Sequence, residues 1–241
     1  MKNTKIVTKE TNNITEIVFI LDKSGSMSGL EEDTIGGFNS MIERQKKEKV
    51  DGETFVTTIL FDDKSEVLHD RVKLESVPKM TDEEYQVGAC TALLDALGEA
   101  INHTEIIHKY ARPEDRPQKT MFVITTDGLE NASRKYSFAE IKKLVERKQE
   151  GDKWEFLFIG ANMDAIGEAG KFGIKAERAV NYCHDGVGTR AVFASVGNAM
   201  NLARNAKTSG ELECCMAETS WCGEVMEDYK KRGKKGFGKR K

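Results

Sequence analysis

The chain has 241 residues, of which 39% are hydrophobic and 32% charged, with a formal net charge of −3. That suits one sizeable α/β domain of a soluble globular protein. No run of 18 apolar residues occurs, which excludes a membrane-spanning helix from the reading. Met1 to Thr11 is polar and lacks the apolar core of a signal peptide, so a cytoplasmic location is expected. The charge is uneven. Lys230 to Lys241 holds eight Lys or Arg and no acid, and without that end 29 basic residues face 40 acidic ones, a balance of −11. The expected organisation is a polar lead over 1–11, one domain over 12–208 and a flexible tail over 209–241, with its basic end at 230–241.

In chain order, residues 14–21 become continuously apolar, as a central strand covered on both faces does. From Leu30 to Lys47, the residues Leu30, Ile35, Phe38, Met41 and Ile42 share a helical stripe. Thr54 to Phe61 is rich in β-branched and aromatic residues and predicts a second strand. Asp62-Asp63-Lys64 is a turn, and Ser65 to His69 returns as an antiparallel edge strand. A helix runs from Thr91 to about Lys109 and is ended by Pro113 and Pro117. Thr120 to Thr126 is a fourth strand. Ser137-Phe138-Ala139-Glu140 fits a capping box ahead of a helix buried through Ile141, Leu144 and Val145. Trp154 to Ile159 is a fifth strand, Asp164 to Phe172 a short helix, and Ala176 to Tyr182 a sixth strand. A last helix over Asp185 to about Asn205 buries Val192, Val196, Ala199, Met200 and Ala203. Beyond Ser209 periodicity fades, which predicts a loosely docked end. Alternation of this kind predicts a doubly wound, mostly parallel six-stranded sheet, order 3-2-1-4-5-6, with helices on both faces.

Three separated segments carry oxygen-bearing side chains. Asp22-Lys23-Ser24-Gly25-Ser26 follows the first strand, Thr91 opens a helix, and Asp127-Gly128 follows the fourth strand. The predicted strand order sets the first and fourth strands side by side at a switch point, where such sheets bind ligands. Asp22, Ser24, Ser26, Thr91 and Asp127 offer two carboxylates and three hydroxyls, a donor set for Mg²⁺, with Mn²⁺ or Ca²⁺ as alternatives. Taken singly, Asp22 and Thr91 could be helix N-caps and Asp127-Gly128 a turn. The five cysteines, Cys90, Cys183, Cys214, Cys215 and Cys222, form no disulfide framework. Zinc held by Cys183, His184, Cys214, Cys215 and Cys222 would need an unusual geometry, because no C-x-x-C pair is present. Cys90 is expected to pack beneath the Thr91 loop. His69, His103, His108 and His184 are expected to be surface or internally satisfied residues.

Together, D-x-S-x-S, a distant Thr at a helix start and a distant T-D-G resemble the metal-ion-dependent adhesion site (MIDAS) of von Willebrand factor type A (vWA) domains, over about residues 12 to 205, in an intracellular, bacterial-type form. The resemblance implies that Ser24, Ser26 and Thr91 ligate the metal directly at some stage. It also implies that the aspartates often act through water, and that Thr91 and Asp127 exchange places between states. The implied function is a protein-binding module whose metal takes a Glu or Asp of a partner, with movement of the final helix coupled to binding. By analogy, the partner belongs with an ATPase or a stress-response operon. An enzyme, a Mg²⁺-dependent phosphoryl hydrolase, is the alternative. It is disfavoured because Ser24 stands where an aspartyl-phosphate hydrolase needs an acid, and because no G-x-x-x-x-G-K-[ST] loop is present. The basic end could also bind polyanions weakly, as in a nucleic-acid accessory protein.

Overall fold

The computed structural model describes residues 13–217 and 220–233. Six strands, β1 (Ile14–Asp22), β2 (Glu53–Phe61), β3 (Ser65–Lys73), β4 (Lys119–Thr126), β5 (Glu155–Ala161) and β6 (Ala179–Tyr182), form one sheet. Its order is β3-β2-β1-β4-β5-β6. β2 and β3 pair antiparallel, and every other pairing is parallel. Strand order and antiparallel edge are those expected from the sequence.

The helices are α1 (Glu31–Lys47), α2 (Leu93–Tyr110), α3 (Phe138–Arg147), α4 (Ala165–Lys171), α5 (Gly186–Asn205), α6 (Ser209–Ala217) and α7 (Gly223–Arg232). All nine residues of β1 are buried. Its side chains alternate between two cores. Ile17, Phe19 and Leu21 join Phe38 of α1 and Val196 and Met200 of α5. Val18 and Ile20 join Leu97 and Ile101 of α2 and Ile141 of α3. Helices on both faces make β1 a continuous apolar run rather than an alternating one. Among the described residues, no helix is long and apolar enough to cross a membrane.

Two strands differ from expectation. β3 extends four residues past His69, to Lys73, because its ladder with β2 slips opposite Thr58 and Arg71 adopts φ +49°. Such a bulge hides a strand's continuation from period-two reading. β6 is shorter. Ala176–Arg178 forms a 3-10 turn, in which buried Arg178 donates to Glu155 at 2.7 Å and to the Met216 carbonyl at 2.8 Å.

The expectation of a loose end from residue 209 is not met over the described residues. α6 and α7 dock beside α5 on the first core, and Leu212, Met216, Trp221 and Val225 are fully buried there. Arg232 of α7 pairs with Asp228 and with both carboxylate oxygens of Asp185, the N-cap of α5. Both helices are short and interrupted, so their apolar stripes do not sustain a readable period. The remainder of the basic end, 234–241, lies outside the described residues, as does the polar lead.

Candidate metal centre

β1 and β4 run parallel and end at the same edge of the sheet, which brings Asp22 and Asp127 together. Asp22 is 1% exposed. Its Oδ1 accepts the Ser24 N–H at 2.7 Å, and its Oδ2 accepts the Thr126 hydroxyl at 2.5 Å. Burial raises its pKa to about 6, although the bonds from Ser24 and Thr126 pull it back. Beneath it, buried Tyr85 donates its hydroxyl to the Asp22 carbonyl. Ser24 and Ser26 flank Gly25, with their hydroxyls 3.1 Å apart, and Ser26 donates to Asp127 Oδ1 at 2.6 Å. Gly25 serves close approach: a β carbon there would sit 3.2 Å from the carbonyls of Gly88 and Ala89.

Thr91 is buried and does not cap a helix; Ala92 occupies the N-cap of α2, and Leu30 that of α1. The Thr91 N–H donates to Asn131 Oδ1 at 2.9 Å, and its carbonyl accepts the Asn131 N–H at 3.0 Å. Glu130 accepts the Leu94 N–H at 2.9 Å, so the loop after Asp127 is fastened to the start of α2. A β carbon on Gly128 would lie 2.9 Å from Thr91 Oγ1, 3.4 Å from Ser26 Oγ and 3.8 Å from Ser24 Oγ. Three hydroxyls therefore surround one small space that is open because residue 128 has no side chain. The structure thus brings all five expected side chains to one crevice.

The donor set fits a divalent cation. Two carboxylates are buried here, Asp22 at 1% and Asp127 at 5% exposure, and burial is the largest cause of the raised Asp22 pKa, with the charge of Asp127 adding to it. Buried anions of this kind are costly unless paired or metal-bound.

No protein-family profile matches the chain, and no curated protein does. Solved structures do. The vWF domain of the type V pili tip protein Mfa5 from Porphyromonas gingivalis aligns at a TM-score of 0.57 and 10% identity, over 81% of this chain and 97% of that one. A von Willebrand factor type A protein from Catenulispora acidiphila aligns at 0.53 and 13% identity, over 78% of this chain and 42% of that one. The fold is that of a vWA domain. Proximal thread matrix protein 1 of the mussel byssus also aligns, at 0.54 and 16% identity, over 78% of this chain and 46% of that one. The chain therefore spans less than half the length of the last two.

Within this vWA fold, several residues at the crevice were not anticipated. Thr126, Tyr85, Asn131 and Glu130 hold the expected five in place. Only Thr126, directly before Asp127, carried a local signal. His184 is the larger omission. His69, His103 and His108 are satisfied by Thr58, Asp70 and Glu16. His184 Nε2 instead stands 2.7 Å from Asp127 Oδ2. That distance makes the two groups an ion pair. Hydrogen bonding with Asp127, and its charge, raise the imidazole pKa against the lowering effect of burial. β6 lies two strands from β4, so nothing in the sequence pairs these residues. Cys90 is exposed rather than packed beneath the loop. Among the described residues, no group of three or more His, Cys, Asp or Glu is placed to hold a metal, so the cysteine–histidine zinc site is not assembled.

Proposed function

We propose that the crevice holds a divalent cation, Mg²⁺ with Mn²⁺ or Ca²⁺ as alternatives, and that the domain uses it to bind a Glu or Asp of a partner protein. Asp22, Ser24, Ser26, Thr91 and Asp127 would hold the ion. The observation that carries this reading is two buried carboxylates, Asp22 and Asp127, beside three hydroxyls that ring a side-chain-free position. Two carboxylates offset the ion's charge, and the neutral hydroxyls leave it electrophilic toward an outside carboxylate. The surroundings suit a protein ligand. Leu129, Ile166 and Val187 follow the carboxyl ends of β4, β5 and β6, and are 55%, 50% and 49% exposed. Exposed large apolar side chains of this kind offer contact area to a protein ligand.

We propose binding rather than catalysis as the activity, in a cytoplasmic setting, with an ATPase or stress-operon protein as the partner by analogy. The test is binding of the purified chain to arrayed peptides that carry a central Glu or Asp, in Mg²⁺ and in EDTA. Binding that needs the metal, needs the peptide carboxylate and is lost in Asp22→Ala supports the reading. Carboxylate binding that persists in EDTA refutes it.

A further inference from the structure

We propose that the basic end and the metal crevice form one interface, and that the partner carries a run of acidic residues beside the carboxylate that reaches the metal. The inference rests on the reading that the crevice binds an outside carboxylate, and it names the class of sequence around that carboxylate.

The path from the crevice to the basic end is short and fixed. His184 Nε2 lies 2.7 Å from Asp127 Oδ2. The next residue, Asp185, is the N-cap of α5 and takes two nitrogens of Arg232 at 2.5 Å and 3.1 Å. Arg232 is the last residue of α7, and Asp228 binds the same guanidinium at 2.6 Å and 2.5 Å. Bidentate pairs of this kind fix direction as well as distance. α7 is also anchored further back: Val225 is fully buried, and its N–H donates to the Ser195 hydroxyl of α5 at 3.2 Å. The chain therefore reaches Gly233 at the edge of the sheet where Asp22 and Asp127 lie. Residues 234–241 follow directly, and eight residues can span up to about 28 Å. That is more than twice the width of a helix, about 10–12 Å. It is enough to lie alongside a peptide seated on the crevice.

The charges suit an acidic ligand at this edge. Lys231 and Arg232 are engaged by Glu227, Asp228 and Asp185. The positive charge open to a partner is that of exposed Lys230 and of Lys234, Lys235, Lys239, Arg240 and Lys241. Residues 1–229 carry a balance of −11. An acidic stretch is thus repelled by most of the surface and attracted where the basic end leaves it. An ion in the crevice is a second positive centre at the same edge. Two weak contacts to one ligand reinforce each other, because the second forms at the effective concentration set by the first.

Nucleic acid is the other polyanion that a basic end attracts, and it fits this edge less well. Phe237 is the one aromatic residue of 230–241, so base stacking has little support. Exposed Leu129, Ile166 and Val187, after the carboxyl ends of β4, β5 and β6, offer apolar contact that a sugar–phosphate backbone cannot use.

The experiment is fluorescence anisotropy at low salt with two labelled peptides, one with a single central Glu among neutral residues and one with a run of Asp beside that Glu. The full chain is compared with a chain lacking 234–241 and with a full-length variant that combines Lys234→Gln, Lys235→Gln, Lys239→Gln, Arg240→Gln and Lys241→Gln. Each is measured in Mg²⁺ and in EDTA. We expect the full chain in Mg²⁺ to bind the Asp-run peptide about tenfold or more tighter than the single-Glu peptide. Both altered chains should bind the two peptides alike. EDTA should cost the full chain at least about tenfold in affinity for the Asp-run peptide, and added salt should erase the preference between peptides. Equal affinity of the full chain for both peptides, a preference that survives in the altered chains, or Asp-run binding indifferent to EDTA overturns the inference and leaves the metal centre standing. So does a Mg²⁺-dependent gain for a single-stranded oligonucleotide that the Asp-run peptide lacks. A single-Glu peptide that gains nothing from Mg²⁺ refutes the underlying carboxylate reading instead.

Discussion

Gly128→Ala closes the proposed metal space without removing a single ligand. The new β carbon would stand 2.9 Å from Thr91 Oγ1 and 3.4 Å from Ser26 Oγ. Oxygens that share a Mg²⁺ ion sit about 2.1 Å from it and therefore about 3 Å from one another. A methyl group in that space forces the Thr91 hydroxyl outward by roughly half an ångström and takes the position an incoming ion needs. Loss of one hydroxyl and of free access should weaken Mg²⁺ or Mn²⁺ at least about a hundredfold, about 2.7 kcal/mol. The fold should tolerate the change. Gly128 is not among the glycines at positive φ, so the methyl group brings crowding but no backbone strain. Crowding costs about 1–3 kcal/mol, and the stiffer unfolded chain returns about 0.4–1 kcal/mol. Calorimetric Mn²⁺ titration, with melting in EDTA alongside, measures both quantities. Wild-type Mn²⁺ affinity in a folded Gly128→Ala protein would refute the placement of the ion.

Asp22→Asn should change how stability depends on pH in metal-free protein. Burial raises the Asp22 pKa from 3.8 to about 6, so the folded chain holds that proton more tightly than the unfolded one. The resulting stability is full below about pH 3.8 and is lost as pH rises to about 6, an effect of about 3 kcal/mol. Urea denaturation in EDTA should show this fall in the wild type and not in Asp22→Asn; parallel profiles would contradict it. Leu129→Ser and Val187→Ser should weaken binding of an acidic peptide by several-fold and leave Mn²⁺ affinity unchanged, which peptide and metal titrations of the same variants separate. Trp221→Ala should cost about 3–5 kcal/mol in urea denaturation, because that side chain is fully buried beneath α5 and α7; a cost under about 1 kcal/mol would mean that α6 and α7 are not docked. Deleting 234–241, which removes five Lys or Arg, should abolish low-salt binding to single-stranded nucleic acid without affecting metal binding, as read by fluorescence anisotropy.

The sheet was legible because its central strands are covered on both faces. Ile17–Leu21 and Met121–Ile124 each feed two cores and so appear as unbroken apolar runs. The capping box at Ser137 and Glu140 is present as expected, and the hairpin turn closes with the Asp62 N–H donating to the Lys64 carbonyl at 2.9 Å. The crevice was legible because each of its segments is a short motif at the end of a recognisable element. What stayed hidden depends on contacts between distant elements. His184 reaches Asp127 from the turn after β6, a strand two positions from β4 in the sheet. The docking of α6 and α7 depends on Arg178, Arg232 and Trp221, whose partners lie in β5, α5 and the first core. Buried charges are hardest to foresee, since Lys119 and Glu16 look like surface residues until the fold supplies Asn13 and the Ala206 carbonyl for one, and His108 for the other.

Crystals grown with Mn²⁺ and measured near the manganese absorption edge test the metal centre most directly. A single anomalous peak is predicted in the crevice between β1 and β4, within about 2.3 Å of the Ser24, Ser26 and Thr91 hydroxyl oxygens, with Asp22 and Asp127 bound to it directly or through water. A peak away from those hydroxyls, or an ordered crevice with no peak at saturating Mn²⁺, would contradict the assignment of all five residues.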